Sequence, residues 1–97
     1  MVQRTSPGRR RQLERLGENI QAWRKLQGLS ASELARRAHV TRDTLRAIER
    51  GLGSPRLDSV MSVVSALGFA DHFISASDPL LTDQGRSLAL NFGKSQR

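Results

Sequence analysis

The feature that most constrains this chain is a pair of helix-start signals placed close together. Residues 30–33, Ser-Ala-Ser-Glu, form a capping box, in which the first serine hydroxyl and the glutamate carboxylate each accept from the other residue's backbone amide. Thr41 offers a second N-cap. These signals predict one helix over about 31–38 and another over about 42–50, the second ended by Gly51. Because only two or three residues separate the two helices, they must meet at a sharp angle.

The apolar pattern on either side of this pair predicts three more helices. The first is marked by apolar residues at spacings of three and four, namely Leu13, Leu16, Ile20, Trp23 and Leu26. Trp23 falls in register with this face, so we predict that it lies in the core rather than stacking on a base. A similar pattern predicts a helix over 57–67, and a short fifth helix is predicted around 71–76. The 97 residues therefore predict a single all-α domain of five helices.

Positive charge is concentrated in the first part of the chain. Lys and Arg number 16 against 9 Asp and Glu, giving a net charge of +7 and a pI near 11.6. Residues 1–56 carry a net charge of +8, and residues 57–97 a net charge of −1. Such an excess indicates a polyanionic partner. Double-stranded DNA is favoured over RNA, because A-form grooves do not admit a helix and only 4% of the residues are aromatic.

The two ends of the chain differ from its middle. Residues 1–12 contain a Ser-Pro-Gly breaker and the run Arg9–Arg11, which predicts a flexible basic arm before a domain over 13–76. The arginine run can contact a minor groove or phosphates, or it can remain solvated; the sequence leaves both open. Residues 77–97 form a C-terminal extension too apolar for a plain linker.

Enzymatic and metal chemistry have little support in this sequence. The chain has no cysteine, no Gly-rich phosphate loop and no paired carboxylates suited to catalysis. Its two histidines, His39 and His72, belong to no ligand cluster. We therefore expect no enzymatic activity, metal, cofactor or small-molecule ligand. Because the sequence shows neither a membrane span nor a signal peptide, we also expect a cytoplasmic protein.

The stretch LSASELARRAHVTRDTLRAIERGLGSPRLDSVMSVVSALGF closely resembles the Xre-type (Cro/cI-like) helix-turn-helix family. The resemblance covers about residues 16–74 and depends on the joint spacing of several elements: Ser30–Glu33, Leu34-Ala35, Leu45, Ile48-Glu49, Gly51 and Ala66-Leu67-Gly68. It implies a five-helix DNA-binding domain whose second helix braces the third in the major groove. One position departs from the family, since His39 stands where a left-handed glycine is usual. Histidine tolerates that conformation better than most residues.

The resemblance also implies roles for individual residues. Arg24 and Glu49 match a pair that the family joins as a partly buried salt bridge. On the third helix, the residues implied to contact base edges are Arg42, Asp43, Arg46 and Ala47. Asp43 can instead orient Arg46 or favour the helix N-terminus. The residues implied to contact phosphates are Ser32, Arg36, Thr41, Thr44, Arg50 and Arg56.

A homodimer on a palindromic operator is the expected assembly, because one such domain recognises too few base pairs to find a unique site. The apolar residues predicted to pair two copies or to bind another partner are Phe73, Ile74, Leu80, Leu81, Leu88 and Leu90. Alternatively, Leu80, Leu81 and Leu88 fold back on the core of their own monomer.

The layout of the chain resembles that of Hip-type antitoxins, which repress their own operon and bind a kinase toxin. The sequence thus favours a repressor with or without a toxin partner. The alternatives are a stand-alone phage-type or housekeeping regulator, or a chain that acts mainly through protein–protein contacts.

Overall fold

The computed structural model describes residues 6–95, which form six α-helices, one short 3₁₀ turn and no strand. The helices are α1 (Pro7–Leu26), α2 (Ala31–Ala38), α3 (Arg42–Glu49), α4 (Leu57–Leu67), α5 (Ala70–Ala76) and α6 (Asp83–Ser95), and the 3₁₀ turn spans Pro79–Leu81. The predicted all-α class is confirmed, and a sixth helix is added to the five expected. None of the described helices is both long and apolar enough to cross a membrane.

The hydrophobic core lies between α1, α2, α3 and α4. α2 packs on α4, and α1 packs on α3. The fully or nearly fully buried apolar side chains are Ile20, Leu29, Leu34, Ala35, Ala38, Leu45, Ile48, Val63, Val64 and Leu67. Each helix from α1 to α5 contributes residues to this core or its rim, but α6 contributes none. The core therefore holds α2 and α3 in place independently of the C-terminal helix.

The sharp connection between α2 and α3 forms as predicted. The Ser30 amide donates to Glu33 Oε1 at 3.0 Å, and the Glu33 amide donates to Ser30 Oγ at 3.1 Å. The pKa of the Glu33 carboxyl is lowered, first because it accepts from the Ser30 amide and then because it interacts with the Ser30 hydroxyl. His39 ends α2 in the left-handed region, with φ of 57°. Thr41 Oγ1 then accepts from the Thr44 amide at 3.0 Å and begins α3.

The predicted flexible arm over residues 1–12 is wrong for residues 7–12, which are helical. Ser6 is the N-cap of α1, because its hydroxyl accepts from the Arg9 amide at 3.2 Å. Pro7 occupies the first helical position, where its missing N–H group costs nothing and its fixed φ suits a helix. The Ser-Pro pair is thus a helix start rather than a breaker. The remainder of the predicted arm, residues 1–5, lies outside the described residues.

The C-terminal extension is helical over most of its length, which the sequence pattern did not predict. Thr82 begins α6 by accepting from the Gly85 amide at 3.0 Å. Gly85 lies so close to the Pro79 carbonyl that no Cβ would fit there. The main contacts of α6 are therefore with the 3₁₀ turn that precedes it. Residues 96–97 lie outside the described residues.

The end of α1 is less buried than predicted. Trp23 is 44% exposed, with its ring stacked on Phe69 at 5.3 Å between centroids. Leu26 is 84% exposed. The predicted core position holds for only one face of Trp23, and Leu26, which shares the apolar spacing of α1, lies outside the core. The reason is that Phe69 covers one side of the indole ring, whereas the described part of the chain leaves Leu26 largely uncovered.

Candidate nucleic-acid interface

The outer face of α3 is the candidate surface for DNA. Leu45 and Ile48 are buried and fix which side of α3 faces the core. Arg42, Asp43 and Arg46 are exposed on the remaining surface of the helix. In a helix-turn-helix, residues near the N-terminus of the second helix are those that contact base edges. The core contacts of α3 therefore place three of the four predicted base-contacting residues in solvent.

Three arginines follow one another at intervals of one turn, two of them on α3 and the third at its C-cap. Arg42, Arg46 and Arg50 line a groove of about 220 Å³, together with Gln21 of α1 and Ala31 of α2. None of the three guanidinium groups forms an ion pair or hydrogen bond with another of the described residues. Their donors are available for bidentate contacts with guanine or phosphate.

The other two predicted base-contacting residues differ in exposure. Asp43 lies in the first turn of α3, where a negative charge favours the helix. No hydrogen bond joins Asp43 to Arg46 within the described chain, so an orienting contact between them is not present. Ala47 is half-buried, and its carbonyl accepts from the Leu52 amide at 2.9 Å. Ala47 thus also helps to hold the turn after α3.

The predicted phosphate-contacting residues lie on α2, on α3 and its caps, and at the start of α4, and they are not equally free to bind. Ser32 and Arg36 are exposed on α2. Thr41 uses its hydroxyl as the N-cap and donates its proton to Thr44 Oγ1 at 2.9 Å. Thr44 is half-buried, whereas Thr41 is exposed. Arg56 forms an ion pair with Asp58.

Arg56 lies at the start of α4 and forms an exposed ion pair. Its Nη2 lies 3.2 Å from Asp58 Oδ2, and the two side chains are 82% and 69% exposed. Exposed pairs contribute at most about 1 kcal/mol. A phosphate can therefore replace Asp58 as the partner of Arg56 at little cost.

The ion pair between Arg24 and Glu49 is present and fixes the end of α3 against α1. Arg24 Nε lies 2.7 Å from Glu49 Oε2, and Arg24 Nη2 donates to Glu49 Oε1 at 3.0 Å. Arg24 Nη1 also donates to the Leu29 carbonyl at 3.0 Å. The hydrogen bonds to Glu49 raise the pKa of Arg24. This geometry is bidentate and sheltered, so it makes α3 a rigid support for its outer face.

Sequence reasoning missed one member of this network. Gln21 Nε2 donates to Glu49 Oε1 at 3.3 Å. Gln21 precedes Arg24 by three positions, so the two lie on the same face of α1. That spacing could have indicated that Gln21 contacts the same partner as Arg24. Polar residues three positions apart are, however, common on any exposed helix.

Two short helices joined by a tight turn, with an exposed arginine row on the second, define a helix-turn-helix DNA-binding domain. The helix-turn-helix family model, of the Xre (Cro/cI-like) type, matches residues 20–71, which is more than half of the chain. The chain belongs to this family. Its members are DNA-binding domains, generally without enzymatic activity, and this protein is accordingly a DNA-binding transcription regulator whose partner is double-stranded DNA. No curated protein and no solved structure matches the chain.

Proposed function

We propose that this protein is a repressor that binds a palindromic operator as a homodimer. The observation that carries this proposal is the row of unpaired arginines on the outer face of α3, held by the sheltered ion pair at the end of the helix. Arg42 and Arg46 each present the fork that suits O6 and N7 of guanine. Asp43 can accept from a cytosine amino group, and Ala47 can contact a thymine methyl group.

The surrounding residues set the register of the domain on the duplex. Ser32, Arg36, Thr44 and Arg56 lie on α2, α3 and the start of α4. Contacts from such positions to phosphates orient a domain without selecting a sequence. Repression follows if the bound operator overlaps a promoter.

Replacing Arg42 by alanine is expected to weaken binding to the operator by about 1–3 kcal/mol and to relax the preference at one base pair per half-site. The reason is that a bidentate contact with a base edge is lost. The operator is first obtained by selection from random duplexes, and affinities of wild type and variant are then compared on it and on scrambled DNA.

Arg56→Ala is the control for this experiment, because Arg56 is an exposed arginine outside α3. It should weaken binding to operator and scrambled DNA alike. It should also reduce the slope of log affinity against log salt concentration by about one, because one phosphate contact is lost. If Arg42→Ala behaved in the same way, Arg42 would be a phosphate contact and not a base contact.

The proposed dimer surface lies on the C-terminal part of the chain. Ile74, Leu80, Leu81, Leu88 and Leu90 are all more than half exposed, so none of them is folded back on the core. Phe73 differs, because it is half-buried and lies edge-on to Phe69 at 6.4 Å between ring centroids. We therefore base the dimer on the other five residues.

The shape of the monomer supports an exposed C-terminal segment. The radius of gyration is 16.8 Å, whereas a compact domain of this length would have about 12–13 Å. The longest dimension is 55 Å. A projecting helix with exposed leucines is costly in water unless a partner covers it, and a second copy of the chain is the partner we propose.

Replacing Leu88 by glutamate is expected to convert a dimer into a monomer. Wild type should have twice the chain mass of 10.8 kDa in analytical ultracentrifugation at tens of micromolar, and Leu88→Glu should have the mass of one chain. A buried pair of like charges at the symmetric interface is the physical cause.

Leu26→Glu provides the matched control, because Leu26 is also exposed but lies on α1. This variant should remain dimeric. A wild-type chain that was monomeric at the same concentration would contradict the proposed homodimer.

An antitoxin role is a second candidate, because α6 also offers an exposed apolar surface outside the helix-turn-helix. A kinase encoded beside this gene that co-purifies with the wild-type chain, and not with a chain truncated after residue 76, would support this role. If no such kinase exists, the stand-alone regulator is favoured.

A further inference from the structure

α1 and the end of α3 are in direct backbone contact at two successive points. A Cβ on Gly17 would lie 2.5 Å from the Glu49 carbonyl oxygen. The second point involves Glu14, which lies on α1 one turn nearer its start than Gly17. A Cβ on Gly51 would lie 2.5 Å from Glu14 Cα. The next turn of α1 in this direction carries Arg10, which thereby lies beside the turn that follows α3.

Arg10 and Arg50 line a common groove at this crossing. The groove has a volume of about 420 Å³, and its other lining residues are Leu13, Glu14, Gly51, Leu52 and Gly53. Both arginines are exposed, and neither forms an ion pair or side-chain hydrogen bond with another of the residues described between 6 and 95. Glu14 is the one acidic residue of the lining, so the groove carries a net positive charge.

We propose that this groove binds a backbone phosphate of double-stranded DNA, with Arg10 and Arg50 as its ligands. The proposal rests on the proposed function, because it requires a duplex on the outer face of α3. It adds a contact from the start of α1, which lies outside the two helices of the helix-turn-helix. An arginine guanidinium matches phosphate geometry through two parallel hydrogen bonds.

The position of the groove explains why a duplex would reach it. Arg50 continues the row of Arg42 and Arg46 along α3, so DNA bound to that row comes close to the Arg50 side chain. Gly53 is exposed and carries no side chain beyond Cα, which lets phosphate oxygens approach the turn closely. A phosphate at this point would also reduce the repulsion between the two arginines.

The experiment uses the full chain and a short duplex of random sequence, so that no base contact is involved. Affinity is measured by fluorescence anisotropy at several salt concentrations for wild type, Arg10→Ala and Arg50→Ala. Each variant is expected to weaken binding several-fold at low salt and to reduce the slope of log affinity against log salt by about one. Circular dichroism checks that α1 is intact, which is expected because alanine is the stronger helix former.

Arg15→Ala is the matched control. Arg15 is an exposed arginine on the same helix, about 140° around the axis from Arg10, and it does not line the groove. For Arg15→Ala, the slope of log affinity against log salt should stay close to that of wild type. Equal slopes for Arg10→Ala and Arg15→Ala would overturn the phosphate site and leave DNA binding by α3 intact. A wild-type chain that bound no duplex would instead overturn the proposed function itself.

Discussion

Replacing Glu49 by alanine is expected to lower the free energy of unfolding by about 3–5 kcal/mol, although Glu49 belongs to neither the apolar core nor the proposed base contacts. The Glu49 and Arg24 side chains are only 7% and 12% exposed, so the variant leaves a guanidinium poorly solvated and without its carboxylate. It also removes the acceptor for Gln21. For a domain of this size, the expected loss lowers the Tm by more than about 12 °C. Thermal and urea denaturation followed by circular dichroism measure both quantities.

Asp58→Ala is the control, because it breaks the ion pair with Arg56 at an exposed site. That change should lower the free energy of unfolding by less than about 1 kcal/mol, since the Arg56 side chain remains well solvated without its partner. A Glu49→Ala variant that melted within a degree or two of wild type would show that the pair with Arg24 contributes nothing to stability.

The helix-turn-helix itself was predictable because its signals are local. A capping box acts over four residues, and the Ser30 and Glu33 bonds form as the sequence predicts. The caps at Thr41 and Gly51 are equally local. Spacing between such caps sets helix length and turn length, and these together impose the angle between α2 and α3.

Both chain ends were harder to predict because their signals have two meanings. Ser6-Pro7 is compatible with a turn and with a helix start, and only the Arg9 amide bonded to Ser6 Oγ decides between them. In α6, two glycines lower the helix propensity of the sequence. Gly85 is nevertheless required, because the Pro79 carbonyl occupies the space that a side chain would need.

The candidate site was predictable on α3 alone and not across helices. Periodicity places Leu45 and Ile48 on one face of α3 and Arg46 outside that face, and the structure buries the first two and exposes the third. It does not show that Gln21 reaches Glu49, or that Arg10 lies beside Arg50, because those neighbours are far apart in the chain. For the same reason, periodicity placed Leu26 on the correct side of α1 without showing that little covers it.

Replacing Gly51 by alanine is expected to lower the free energy of unfolding by about 2–5 kcal/mol through two separate penalties. Its φ of 75° is left-handed, which costs an alanine about 1–2 kcal/mol. Its Cβ would also lie 2.5 Å from Glu14 Cα and 2.8 Å from the Leu13 carbonyl carbon. These are backbone atoms that cannot rotate away, so α1 and the turn after α3 must separate, at a further cost of about 1–3 kcal/mol. Urea denaturation measures the total.

Gly28→Ala isolates the first of these penalties, because Gly28 has nearly the same φ, 72°, and no atom within 4 Å of the added Cβ. Its free energy of unfolding should fall only by the cost of the left-handed conformation, about 1–2 kcal/mol. The difference between the two variants then measures how closely the end of α3 is packed on α1. Equal losses for Gly28→Ala and Gly51→Ala would mean that this backbone contact is looser than the structure shows. The groove between Arg10 and Arg50 would then lose the fixed geometry on which a phosphate contact depends.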